Sequence, residues 1–251
     1  MNAFFENDRK YINRDNFEFY CNTNGHLLKG SPRGIAVEFP GLGGGSCLGG
    51  TMDMVPYGGD YAERLANAGI LLVYMFSGPW NWMNKGAARF TDLVLDAIRE
   101  KYGLPEDVPV VATGGSMGGL AGLMYPALSR LNITACAVTC PCVNPANALF
   151  ADRVIPRSFL STLAVFEKPF EESLKMISPA ENVSSLPDIP YLVLCDGDDE
   201  LFPCCELESF AETLRENGRE VEFIIMNGCR HGEFKPDARE RFTGFVIEKL
   251  S

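Results

Sequence analysis

Midway along the chain an apolar run breaks into glycines around one serine: Val110-Val111-Ala112-Thr113-Gly114-Gly115-Ser116-Met117-Gly118-Gly119-Leu120. The residues before Gly114 are apolar or β-branched and follow Pro109, as a short buried strand requires. Met117 to Leu128 is rich in Ala, Leu and Met and reads as a helix. Ser116 therefore falls in the turn between them. So tight a turn brings strand and helix backbones together, and Gly114 and Gly118, in the pattern G-x-S-x-G, remove side chains that would collide. The turn lifts a hydroxyl above the end of a sheet and aims a helix N-terminus at negative charge developing beside it. In a purely structural turn the serine would be incidental, so its partners decide.

The rest of the chain alternates strand and helix around this unit. Residues 1–16 are polar and lack a period, and are expected either to pack late or to fray. Phe17 to Cys21 alternates, Asn22-Thr23-Asn24-Gly25 is a turn cluster, and an extended piece from His26 completes a predicted edge hairpin. Ile35–Phe39 is a strand that runs into Pro40-Gly41-Leu42-Gly43-Gly44-Gly45-Ser46, where free backbone N–H groups suit an oxyanion. A helix over Tyr61–Ala68, an apolar central strand over Ile70–Phe76, a helix from about Ala87 to Lys101 and a strand over Ile133–Cys140 follow. The loop after Phe76 holds both tryptophans, Trp80 and Trp82, where a parallel sheet binds ligands; they are candidates to line a substrate pocket, the alternative being that they only cover the core. From 144 to 185 prolines separate helix-like pieces, which predicts a helical lid inserted over the site. Ile189–Cys195, a helix facing inward through Leu207, Phe210, Ala211 and Leu214, the strand Val221–Met226 and a helix from about Pro236 complete the pattern. This order predicts one α/β domain over residues 1–251, a doubly wound, mostly parallel sheet flanked by helices.

Composition narrows the function. A net charge of −11 would repel a phosphate backbone, and no Lys/Arg stripe offsets it, so nucleic acid is excluded as a partner. No segment reads as a membrane span, and the acidic N-terminus is unlike a signal peptide, so a cytoplasmic protein with no membrane partner is expected. The nine cysteines include Cys140/Cys142 and Cys204/Cys205, but none has zinc or C-x-x-C redox spacing; buried thiols and no metal are expected.

Three loops now follow three strands and hold, in chain order, Ser116, an acidic cluster and His231. A serine hydroxyl needs an imidazole to take its proton, and the imidazole needs a carboxylate to fix its tautomer. His231 is the base that fits; His26 lies in the hairpin. Asp196, Asp198 and Asp199 all stand in the acidic turn, and residue types alone leave the choice among them open.

These residues resemble the α/β-hydrolase superfamily, from about Phe17 to the C-terminus. Gly114-Gly115-Ser116-Met117-Gly118-Gly119 is similar to its nucleophile elbow, Asp199-Glu200-Leu201-Phe202-Pro203 to its D-x-x-V-P segment, and Gly228-Cys229-Arg230-His231-Gly232 to its histidine segment. The resemblance implies the α/β-hydrolase fold, no cofactor, and a catalytic set of Ser116, His231 and Asp199. Pro40-Gly41-Leu42-Gly43-Gly44 stands where the family has an H-G-x-G-type loop but lacks the histidine. The backbone amides of Leu42 and Met117 are the oxyanion candidates, with Gly43 as the alternative register. Ser178-Pro179-Ala180-Glu181-Asn182-Val183 is most like the prolyl-oligopeptidase-related and acetyl-esterase branches, without the propeller of those peptidases. The expected activity is hydrolysis of a small-molecule carboxylic ester, with a short acyl group, such as acetyl on a sugar, through an acyl-enzyme. A small peptidase or amidase, and a ligand-binding protein without turnover, are the alternatives.

Overall fold

The computed structural model describes residues 10–42, 58–76 and 82–251, without the side chain of residue 161. Strands β1 (Cys21–Thr23), β2 (Gly34–Phe39), β3 (Ile70–Met75), β4 (Val110–Gly115), β5 (Ile133–Thr139), β6 (Tyr191–Asp196) and β7 (Val221–Met226) form one sheet in the order β1-β3-β2-β4-β5-β6-β7. All neighbours are parallel except β1 with β3. This mostly parallel sheet, covered by helices on both faces, is the α/β-hydrolase architecture expected from the sequence.

Strand residues alternate between two cores. Ile35, Val37, Leu71, Val73, Val110, Ala112, Cys136, Val138 and Val193 point to one side, Ala36, Ile70, Leu72, Val111, Ala135, Ala137, Leu192 and Leu194 to the other. Helix α1 (Asp60–Asn67) covers the second side. Helices α2 (Lys85–Tyr102) and α3 (Met117–Leu128) cover the first. Between β5 and β6 run α4 (Pro145–Ala148), α5 (Val154–Leu163) and α6 (Phe170–Ile177), and α5 and α6 send Ile155, Phe159, Leu163, Leu174 and Ile177 into that same first core. Helix α7 (Cys204–Glu216) joins them, and α8 (Pro236–Lys249) lies beside α1. Such complete burial on both faces explains why the central strands read as unbroken apolar runs.

Helix α3 carries a proline, Pro126, whose missing N–H leaves the carbonyl of Gly122 without its helical donor. The Cys136 thiol on β5 donates to that carbonyl at 3.3 Å. At the other end Asp92 of α2 accepts from the Tyr125 hydroxyl (2.8 Å), the Ser129 hydroxyl (2.6 Å) and the Arg130 amide (3.0 Å), which closes α3 from the side. The helix that begins at Ser116 is thus pinned along its length.

At the N-terminus one expectation is settled and one is corrected. Ile12 is buried in the main core, so the chain is tied down before residue 16. The predicted hairpin is absent: Phe17–Phe19 and Gly25–Leu27 are short 3-10 turns, and β1 pairs with β3 instead. Asn24, fully buried directly after β1, ties that strand to β3 and α1: its side chain accepts from the Leu72 amide (2.8 Å) and donates to the Ala62 carbonyl (2.9 Å). His26 is exposed in the second turn.

Candidate active site

Ser116 stands alone between the last residue of β4 and the first of α3, with φ 57° and ψ −122°. A side chain in that region is strained, and it persists because the surroundings fix it. The Ser116 amide donates to the Thr139 carbonyl (3.0 Å), and its carbonyl accepts from Leu120 (3.1 Å) and Cys142 (3.3 Å). The glycines are required by contact. A Cβ at Gly114 would collide with the carbonyl of Gly118, and one at Gly118 with the carbonyl of Phe39. As the first helical residue, Met117 has no carbonyl one turn back to receive its N–H. The loop after β2 passes close by: a Cβ on Gly41 would lie 3.9 Å from that of Ser116, and Leu42 follows it. Gly43 and Gly44–Ser46 lie outside the described residues.

His231 and Asp199 complete a continuous relay. His231 Nε2 is 2.9 Å from Ser116 Oγ, and His231 Nδ1 is 2.8 Å from Asp199 Oδ2. The second carboxylate oxygen, Oδ1, accepts from the Leu201 (2.7 Å) and Phe202 (2.9 Å) amides, which hold the acid in place. The Asp199 side chain is 1% exposed and that of His231 16%, so the acid is shielded while the base is reachable. The Phe202 ring meets the imidazole edge-on at 5.1 Å, a restraint on the ring that sequence reasoning did not foresee.

The three aspartates of the turn separate by environment. Asp198 is exposed and Asp199 faces the histidine, while Asp196, the last residue of β6, is fully buried. Asp196 Oδ2 accepts from the Gly232 amide at 2.7 Å, and Oδ1 has no hydrogen-bond partner. Burial holds the Asp196 carboxyl above the ordinary aspartate range, opposed by the Gly232 amide and the neighbouring Cys140 thiol. Burial likewise pushes Cys140 up to about 12, so it stays a neutral thiol. Cys140, Asp196, Asp199 and His231 bring one ligand atom each within 4.8 Å of one another. Both oxygens of Asp199 and both ring nitrogens of His231 are engaged in hydrogen bonds.

Trp80 lies outside the described residues. Trp82 is fully buried: its Nε1 donates to the Ser158 hydroxyl of α5 at 2.8 Å, and its ring lies 4.3 Å from that of Phe159. The indole therefore holds α5 and offers no face to a sugar. Two residues on, Asn84 caps α2 and donates to the Thr162 carbonyl (3.1 Å), a second tie to α5. The cysteine expectation is corrected at one pair. Cys195 at the end of β6 and Cys204 at the start of α7 form a disulfide, Cα atoms 5.7 Å apart, because the chain reverses over the Asp199 turn and brings the two ends together. Cys140 and Cys142 remain buried thiols.

No protein-family model and no curated protein matches this sequence. Solved structures do match in fold. The hyperthermophilic esterase from Pyrobaculum calidifontis aligns with a TM-score of 0.63 at 20% identity over 88% of this chain and 77% of its own. Est1E from Butyrivibrio proteoclasticus aligns at 0.62 and 13% identity, over 92% of this chain and 93% of its own. The acylaminoacyl peptidase of Pyrococcus horikoshii aligns at 0.66 and 15% identity, but this chain spans only 37% of it. Among the described residues no helix is long and apolar enough to cross a membrane.

Proposed function

We propose that this chain, which has the α/β-hydrolase fold, is a serine hydrolase of small carboxylic esters that works through an acyl-enzyme. The observation that carries the reading is the unbroken relay from Ser116 Oγ through His231 to Asp199. Ser116 attacks the ester carbonyl as His231 takes its proton. Asp199 keeps the imidazole in the tautomer that can accept, and stabilises the imidazolium. The amides of Leu42 and Met117 receive the oxyanion, each donor worth about 3 kcal/mol of transition-state stabilisation. His231 then protonates the leaving alkoxide, and water repeats the sequence to release the acid.

An ester with a short acyl group is the favoured substrate. The Pyrobaculum calidifontis protein, an esterase, is matched over 77% of its length, whereas the peptidase is matched over 37% of its own. The residues between β5 and β6 are proposed as a lid, anchored through Trp82, that shapes the acyl side of the site.

The test is release of nitrophenol from acetyl, butyryl and octanoyl esters by the wild type and Ser116→Ala. Turnover that depends on Ser116 and falls with chain length is expected. Equal rates in both proteins would remove the esterase reading, and faster Ser116-dependent cleavage of aminoacyl anilides would replace it with an amidase.

A further inference from the structure

Ser116 follows β4 while His231 follows β7, three strands away in the sheet, about 14 Å at ordinary strand spacing. The imidazole nevertheless lies 2.9 Å from the serine hydroxyl. The loop after β7 must therefore fold back over the carboxyl ends of β6 and β5, and something must hold it there.

Besides the His231–Asp199 contact, the His231 amide donates to Glu200 Oε2 at 3.4 Å and Arg230 pairs with Glu200 at 3.5 Å, and three further bonds join that loop to the turn after β6. Gly197 donates its amide to the Met226 carbonyl (3.0 Å) and Asp198 to the Cys229 carbonyl (2.9 Å), both before the histidine. The third is the bond from the Gly232 amide to Asp196 Oδ2, 2.7 Å, and it grips the residue immediately after His231. The two loops approach so closely that a Cβ on Gly197 would stand 3.0 Å from the Cα of Asn227. Asp196 itself cannot move, because it ends β6 in register with Met226 and is fully buried. Below it, Cys140 turns the end of β5 aside at φ 36° and brings its thiol beside the carboxylate.

We propose that Asp196 is a positioning residue for His231: by holding the Gly232 amide it fixes the returning loop so that the imidazole bridges Ser116 and Asp199. This role rests on the serine-hydrolase reading, but its geometry can be tested without it.

The experiment compares wild type, Asp196→Ala and Asp196→Asn by kinetics on nitrophenyl acetate and by proton NMR of the imidazole Nδ1–H shared with Asp199. The chain has two histidines, so a His26→Gln control assigns the signal. Asp196→Ala is expected to lose about 30- to 100-fold in kcat with KM within about twofold, and to lose the resonance. Asp196→Asn keeps an acceptor for Gly232 and is expected to recover kcat to within about threefold of the wild type, with the resonance restored. A folded Asp196→Ala with wild-type kcat and resonance, or an Asp196→Asn as impaired as Asp196→Ala, overturns the proposal. Should Asp196→Ala fail to fold, amide exchange decides: the Gly232 amide must be protected in the wild type and in Asp196→Asn despite the exposure of that residue. If the wild type shows no Ser116-dependent turnover, the hydrolase reading fails and the resonance and exchange data still judge Asp196.

Discussion

Asp196 and Asp199 lie three residues apart, and their surroundings divide them. Asp199 accepts two amides and an imidazole, whereas Asp196 has one amide and a thiol beside it. The consequence for stability has a definite sign. Burial raises the Asp196 carboxyl above its value in the unfolded chain, so the folded state holds that proton more tightly. The favourable contribution is complete below the unfolded value and is lost as pH rises through the folded one. Asp196→Asn should therefore raise the midpoint of thermal unfolding at neutral pH, and the gain should shrink toward about pH 4. Paired melts at the two pH values check it; a gain that grows on acidification would refute the sign. The sequence placed Asp196 among three candidates but could not separate them, because its partner is Gly232, 36 residues away. The family-like D-x-x-V-P spacing singled out Asp199, and that residue is the one facing His231.

At the scale of the element, what could be read was local. Met117–Leu128 and Val221–Met226 have the bounds the sequence indicated, because composition and flanking glycines mark both. The N-terminal hairpin failed because β1 pairs with β3, a partner distant in sequence to which local alternation does not point, and Asn24 fastens it there. The Cys195–Cys204 pairing was hidden for the usual reason that connectivity does not follow from spacing. Trp82 was legible as a pocket aromatic or as core cover, and it is core cover; that it anchors α5 was not legible. Trp82→Ala should cost about 3–5 kcal/mol in urea unfolding. Trp82→Phe should cost about 1 kcal/mol, the share of the Ser158 bond. Neither should alter the relative kcat/KM for acetylated sugars and simple acetates, and a selective loss on the sugars would return Trp82 to the substrate.

Across the whole molecule, helix α3, wedged between the sheet and α2, aims its first amides past Ser116, and the carboxyl ends of β4, β6 and β7 bring together Ser116, Asp199 and His231, the groups of the proposed relay. The alternation of strand and helix made this frame readable, while the closure of the β7 loop over two neighbouring strands is long-range and left no local trace. The frame also makes one residue pay a conformational cost. Ser116 holds a left-handed φ that is worth about 1–3 kcal/mol against it. A glycine there is free of that strain and an alanine is not, so Ser116→Gly should unfold at a higher temperature than Ser116→Ala, in paired calorimetric scans.

In the proposed hydrolase, that strained serine sets heat resistance and chemistry in opposition at a single codon. In a population of variants selected for surviving heat alone, glycine at position 116 would be enriched, and the lineage would drift toward a sturdier, inert scaffold. The serine can then be held only by continuous selection for turnover.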